Sequence, residues 1–308
     1  MTDSTTGPTT MPAVRPPRPA EPLPHQLLAA LAQHRIATTG QLHDLLRPDA
    51  TRQAVSTPLN TLRRQHLVGY VVLPQSGRTR AWYLTAKGAR LTRDLPALRG
   101  RPLYPITSAT AASLKTPHTL TVLHTHLAFV RDARTRGDEH GYLDWTPEVS
   151  HPLSDGNKVI ADALMHYTLT GHDQEQRTKL RAFIEVDRTT MSSERLASKL
   201  IEYARLWAYE PQPNSRQRTR QTPAAAVWLR WYPVFPRVLF VLTGASRNVL
   251  ANRISDLQAM ADQHPLVATL ARHVPLGAAT LEDLQQHSPT GTVWTPLTSG
   301  ERRSWVEL

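Results

Sequence analysis

The chain has no cysteine among its 308 residues. That excludes disulfides, thiolate zinc sites and a catalytic thiol, and it fits a reducing compartment. It also lacks any run approaching the ~20 apolar residues of a membrane helix, and its N-terminus has no apolar segment of signal-peptide type. A cytoplasmic protein with no membrane partner is therefore expected. Gly-rich phosphate loops of the GxxxxGK[ST] or GxGxxG type are absent, which argues against a nucleotide-driven motor. No GxSxG marks an ester hydrolase. Acidic residues are scarce at the front: residues 1–100 hold 13 basic and 5 acidic residues, whereas 101–308 hold 23 and 20. GC-rich coding explains why 31 of the 36 basic residues are Arg. It does not explain the local deficit of acids. A polyanion does, because each neutralised phosphate releases counterions.

What is present falls into segments. Residues 1–24 carry seven prolines and read as a disordered tail. Residues 25–93 then show helical spacing at Leu27, Leu28 and Leu31, a second helix capped by Thr38 or Thr39, and a third with Val55, Leu59 and Leu62 at i, i+4 and i+7. Pro58 must start that third helix or kink it. Two short strands, Tyr70 to Leu73 and Ala81 to Leu84, flank a turn carrying Arg78 and Arg80, and Thr85 caps a further helix. Three helices and a basic hairpin are the order of a winged helix-turn-helix. Its third helix would present Arg52, Asn60, Arg63 and Arg64 to the major groove, with Arg78 and Arg80 on the flanking backbone. Use of the same fold for protein contact is the competing reading.

Residues 94–116 read as a linker, and 299–308 as a C-terminal tail. Between them, 117–298 alternate helices and strands: a helix from Pro117 to about Arg136 with a Leu120, Leu123, Leu127 and Val130 stripe, strands at 141–145, 158–169 and 180–187, a helix at 192–209, an Arg-rich loop at 211–223, one or two strands in 226–243, and a helix at 246–262. The fold class is α/β, or α+β overall.

An acid inside an apolar strand needs a reason. Asp162 stands in Val159-Ile160-Ala161-Asp162-Ala163-Leu164, and Glu185 and Asp187 share one face of Phe183-Ile184-Glu185-Val186-Asp187. If the two strands are neighbours, three carboxylates converge, and all-oxygen ligands of this kind suit Mg²⁺ or Mn²⁺. Lys199 falls on the apolar stripe Leu196, Leu200, Tyr203 and Trp207 of the next helix, where a lysine is expected to meet a carboxylate. Asp162, Glu185, Asp187 and Lys199 are the candidate catalytic group. Glu148 is a further candidate acid, and Arg188 and Arg195 are candidate phosphate contacts. A structural ion pair between strand and helix is the alternative for each. His124-Thr125-His126 falls in a helix-period segment, where i and i+2 diverge. It is rejected as a paired-histidine relaxase motif. His118 reads as a polar residue at a helix start.

The elements "HTLTVLHTHL", "TPEV", "IADALMHY", "FIEVDRTTMSSERLASKLIEYARLW" and "FPRVLFVLTG" resemble, in that order, the replication-relaxation family of Gram-positive plasmids and integrative elements. That family is similar to MobC-type relaxases with a PD-(D/E)xK, restriction-endonuclease-like core. The resemblance spans about 25–260. It implies that Asp162 matches the motif's Asp and Glu185 its second acid. Asp187 occupies the place of the motif's lysine, so Lys199 would be a replacement from the next helix, and Ala161 stands where the motif has proline. By this resemblance the protein is a DNA-binding protein of a mobile element acting in plasmid replication or DNA relaxation. It would bind double-stranded DNA and nick it with Mg²⁺ or Mn²⁺ held by Asp162, Glu185 and Asp187. The alternative is a non-catalytic regulator with a degenerate nuclease-like scaffold. A homodimer is left open.

Overall fold

The computed structural model describes residues 21–74, 77–101, 106–153, 156–171, 176–210 and 225–308. Most of the expected Pro-rich tail, the tip of the basic hairpin and the Arg-rich loop lie outside these residues.

The first lobe begins with α1 (Leu23–His34), which starts within the expected tail because Pro24 suits a first helical turn. A short strand that periodicity does not reveal, β1 (Ile36–Thr38), leads into α2 (Thr39–Leu46). Thr38 begins α2 with a capping box: its hydroxyl accepts from the Gln41 amide, and the Gln41 side chain accepts from the Thr38 amide. Next come α3 (Gln53–Arg64), β2 (Val68–Val72), β3 (Arg80–Leu84) and α4 (Ala86–Thr92). Pro58 lies inside α3 rather than at its start. The strands form an antiparallel sheet in the order β1-β3-β2. Val55, Leu59 and Leu62 of α3 join Leu27, Leu28, Leu31 and Trp82 in one core. Trp82 is fully buried and donates its indole N–H to Thr39 Oγ1 at 2.9 Å. Gly88 lets α4 lie against β2, since a Cβ there would run into the Leu67 carbonyl. This is a winged helix-turn-helix.

Described residues of the connecting segment pack against the first lobe. Leu95 and Leu98 are buried in the first lobe's core. The long helix α5 (Ala109–Arg136) starts before the expected Pro117, because Ser108 caps it by accepting from the Ala111 amide, and Pro117 is tolerated inside it. Its expected stripe also serves a different surface. Leu123, Leu127 and Val130 pack into the winged-helix core, whereas Val122, Phe129 and Ala133 pack on the sheet of the second lobe. One helix therefore belongs to both lobes.

The second lobe is a six-stranded mixed sheet in the order β4-β5-β6-β7-β8-β9: β4 (Trp145–Pro152), β5 (Lys158–Thr170), β6 (Arg177–Asp187), β7 (Arg237–Leu242), β8 (Leu276–Thr280) and β9 (Thr295–Pro296). β6 pairs antiparallel with β5 and parallel with β7. Helices α6 (Ser193–Ala208), α7 (Arg247–Gln263) and α8 (Pro265–Ala271) cover one face, and α5 with α9 (Leu281–His287) covers the other. Leu196, Leu200 and Tyr203 of α6 are fully buried against Phe183 and Phe240. Each contributes about 1.5–3 kcal/mol. Three expectations are corrected here. Residues 141–144 are not strand, because β4 begins at Trp145. Residues 227–230 form a 3₁₀ turn ahead of β7. The final residues pack rather than trail, with Trp305 fully buried and Arg303 bridged to Trp294.

Candidate active site and nucleic-acid interface

β6 is covered on both faces, so its odd-numbered acids are driven into the interior: Glu185 and Asp187 are 2% and 1% exposed. The β5–β6 pairing ends at Ala163↔Ile184, while β6 continues against β7 as far as Asp187↔Leu242. Where the backbone ladder stops, the Asp162 side chain takes its place. Its Oδ2 accepts the Val186 amide at 2.7 Å, and its Oδ1 pairs with His118 Nε2 at 3.0 Å. Beside it, Glu185 Oε1 accepts the Tyr203 hydroxyl at 2.6 Å and the Lys199 ammonium at 3.4 Å. Lys199 also donates to the Ile160 carbonyl at 2.8 Å. Lys199 and Tyr203 reach one carboxylate because they sit one helical turn apart on α6. Asp162, Glu185 and Lys199 are thus brought together at the point where β5 and β6 part.

Burial, and then the negative charge of Asp162, push the Glu185 carboxyl up to about 8, against the opposing pull of Lys199 and Tyr203. Burial and Glu185 push the Tyr203 hydroxyl up. The Asp162 hydrogen bond raises the His118 imidazole, while nearby Arg188 lowers it. The two carboxylates are the oxygen donors of the pocket, with His118 Nε2 on Asp162 and the Lys199 ammonium on Glu185.

Asp187 does not join them. Its Oδ2 is held by Arg253 Nη1 of α7 at 2.6 Å, and Arg253 Nη2 donates to the Met191 carbonyl at 2.5 Å. Among the described residues no group of three or more His, Asp or Glu side chains is placed to share one ion. Glu148 leaves the pocket as well: it carries a positive φ in β4 and forms an ion pair with Arg35 of the first lobe at 2.5 Å. Sequence reasoning missed His118, which lies well inside α5 rather than at a helix start. It also missed Arg253. The signal for His118 was a histidine one turn before Val122 on a helix that packs on the sheet.

In the winged helix, burying Val55, Leu59 and Leu62 turns Arg52, Arg63 and Arg64 outward. Arg78 is exposed in the turn with φ 66°. Arg80 is not at the tip: it lies half-buried in β3, stacks over Tyr70 at 4.5 Å and donates to Asn60 Oδ1 at 3.2 Å. Arg63 lies over the same ring at 4.9 Å. Asn60 and Arg80 therefore fasten the recognition helix to the wing.

A second polar cluster joins the lobes. His126 of α5 stacks on Trp145 and lies 5.0 Å from His34 and 4.9 Å from His140, ring centre to ring centre. His124-Thr125-His126 is helical, as expected. Burial holds His34 and His140 down to about 4 and His126 well below its usual range.

The fold and these two surfaces define a winged helix-turn-helix protein with a mixed α/β domain whose central strand carries buried acids. Residues 28–220 match the family described as Replication-relaxation, and the chain belongs to that family. No curated protein matches it. Among solved structures, it is similar to a mutant of Lactococcus lactis ZitR in apo form, at 21% identity over 23% of this chain and 52% of that one, with a TM-score of 0.21. It is also similar to a mutant of MepR from a multidrug-resistant S. aureus clinical isolate, at 23% identity over 30% of this chain and 62% of that one, with a TM-score of 0.22. The chain spans about half the length of the ZitR chain it matches. No helix among the described residues is long and apolar enough to cross a membrane.

Proposed function

We propose that this protein binds double-stranded DNA of a plasmid or integrative element through its winged helix and nicks it at the Asp162–Glu185–Lys199 pocket, as a step in replication or DNA relaxation. The observation that carries the reading is the meeting of two carboxylates and a lysine at the parting of β5 and β6. Arg52, Arg63, Arg64 and Arg78 supply phosphate contacts on the duplex, with Asn60 and Arg80 setting the angle of helix to wing. Asp162 and Glu185 would hold Mg²⁺ or Mn²⁺, which supplies Lewis acidity and a bound water of lowered pKa. Lys199 neutralises charge that develops on the phosphate. Arg188 contacts a neighbouring phosphate. His118, half exposed beside Asp162, hands a proton to the departing oxygen.

The test is incubation of supercoiled cognate plasmid with the protein and Mg²⁺. Nicked circles are expected, and they should be absent for Asp162→Ala and Glu185→Ala. Cleavage that survives in both variants removes the site assignment. The closure of Asp187 by Arg253, and the lack of a three-ligand group among the described residues, favour a second reading as a non-catalytic replication regulator. Calorimetry with Mn²⁺ separates them: no heat, with duplex affinity intact, supports the regulator.

A further inference from the structure

At the opposite end of β6 from the carboxylates lies an open cleft of 330 Å³, lined by Arg101, Asp144, His166, Thr168, Lys179 and Arg181. It is unlike the rest of the second lobe's surface. Arg177, Lys179 and Arg181 are alternate residues of one strand, so they share a face with spacings of ~6.6 Å. His166 and Thr168 stand opposite Arg181 and Lys179 on β5. Arg177 is paired with Glu139. The Arg101 guanidinium donates to the Leu143 carbonyl. The cleft's one acid, Asp144, accepts the Gly141 amide at 2.9 Å. No carboxylate among the described residues pairs with Lys179 or Arg181. Arg181 acts electrostatically on both His166 and Tyr232.

Tyr232 links this cation row to an aromatic surface. Its hydroxyl is 2.8 Å from His151 Nε2. Trp231 packs edge-on against the same imidazole, with ring centres 5.1 Å apart, yet remains 44% exposed. Val234, nearby in the same turn, is 73% exposed. Tyr232 in turn packs edge-on against Phe183, with ring centres 5.6 Å apart, and Phe183 follows Arg181 on the same face of β6. A large indole left open to solvent on the aromatic surface that continues this cation row is the combination that holds unpaired nucleic acid: cations follow the phosphates and an aromatic face stacks on a base. Duplex DNA hides its base faces and has no use for the tryptophan.

We infer that this cleft, together with Trp231, binds a single DNA strand, at a site separate from the winged helix and from the carboxylate pocket. Lys179, Arg181 and Arg101 contact successive phosphates, and Trp231 stacks on a base. The inference rests on the DNA-binding reading above and deepens it: the duplex is held by one lobe and an opened strand by the other.

The test uses the full chain and two labelled probes, an oligothymidine and a duplex, each of about 20 nucleotides in length, titrated at two salt concentrations. The double variant Lys179→Ala/Arg181→Ala should lose about tenfold or more in single-strand affinity, and its salt slope should flatten by about 1.4, at ~0.7 per phosphate contact. Trp231→Ala should lose about tenfold on the single strand without changing the salt slope. Both should bind duplex within twofold of the parent. Arg63→Ala/Arg64→Ala should show the reverse pattern, losing duplex and keeping the single strand. Unchanged single-strand affinity in the cleft variants overturns this inference and leaves the winged-helix reading standing. Equal losses on both probes also overturn it, because the cleft would then serve the duplex. Duplex binding that survives Arg63→Ala/Arg64→Ala would remove the winged-helix assignment, and a parent chain that binds neither probe would remove the DNA reading itself.

Discussion

In the winged-helix lobe the arginines of α3 and the wing stand at the surface around a core of Leu and Val. In the α/β lobe two acids sit in the buried half of a central strand of the sheet. The first arrangement costs little and serves a polyanion at long range. The second is expensive, since a buried charge must find a partner or give up its ionisation. The two acids of β6 resolve that problem differently, although they are two residues apart on one face. Asp187 has a cationic partner in Arg253, 2.6 Å from its Oδ2 and only 11% exposed, although its buried Oδ1 has no hydrogen-bond partner. Glu185 has a distant lysine, a tyrosine hydroxyl and a repelling neighbour, and it holds its proton up to about 8. Local sequence does not distinguish them. The residue that α6 or α7 brings opposite each one does.

The sharpest way to break this contrast is to remove Arg253 from Asp187. Arg253→Met should destabilise the fold by about 3–5 kcal/mol in urea unfolding at neutral pH, because it leaves a buried carboxylate uncompensated. A loss below ~1 kcal/mol would put Asp187 in the same class as Glu185 and erase the distinction.

Glu185 should show its difference through pH. Its folded value lies above the ordinary carboxyl value of 4.5, so the folded protein holds a proton that the unfolded chain releases. Stability should therefore be full below ~4.5 and fall as pH rises towards 8, by about 4–5 kcal/mol in buffer with a chelator. Glu185→Gln should flatten that segment of the curve and exceed the parent in thermal stability at alkaline pH. An unchanged slope would mean that the carboxylate is ionised and matched.

The histidines between the lobes carry the opposite sign. His34 and His140 are held down to about 4, below the ordinary 6.5, so the unfolded chain takes up protons first. Stability should be present above pH 6.5 and drain away as pH falls towards 4. The groups facing this cluster are Asp144, which favours the charged form of His140, and His166, which opposes it. His126→Phe keeps the stack on Trp145 and removes the two buried ring nitrogens. It should raise stability at pH 5 by about 1–2 kcal/mol and change it less at pH 8. Equal gains at both pH values would show that packing, and not protonation, sets the effect.

The winged helix was legible because its signals are local: the apolar spacing of Val55, Leu59 and Leu62, the Thr38 and Thr85 caps, and two strands around a basic turn. β5, β6, α6 and α7 were legible for the same reason. The parts that escaped depend on distant partners. β1 is three residues that become a strand only beside β3. α8, β8, α9 and β9 are short elements whose burial comes from the sheet they close. α5 showed the stripe that packs on the winged helix, but its second apolar face, Val122, Phe129 and Ala133, becomes one only against the sheet. At the candidate site, Asp162, Glu185 and Lys199 stood out as charges in apolar company, and they do meet. Asp187 stood out equally, but its partner comes from a helix 60 residues later, and nothing near Asp187 in the sequence marks Arg253.

The smallest effect on folding is expected where the contrast between the two acids is finest. Lys199 is 3.4 Å from a carboxyl that already tends to hold its proton, so the ammonium's attraction for it is weak compared with that of Arg253 for Asp187. Its shorter contact, 2.8 Å, is to the Ile160 carbonyl at the parting of the strands. Lys199→Met keeps the aliphatic stem among Leu196, Leu200 and Tyr203 and removes the charge. Unfolding should cost about 1 kcal/mol less than in the parent, chiefly for the carbonyl left without a donor. Nicking of supercoiled plasmid should be lost while duplex affinity stays within twofold, and Lys199→Arg should restore part of the cleavage. If the methionine variant instead unfolds as readily as Arg253→Met, the lysine is a structural partner of an ionised Glu185. The two acids of β6 would then differ only in the length of their ion pairs.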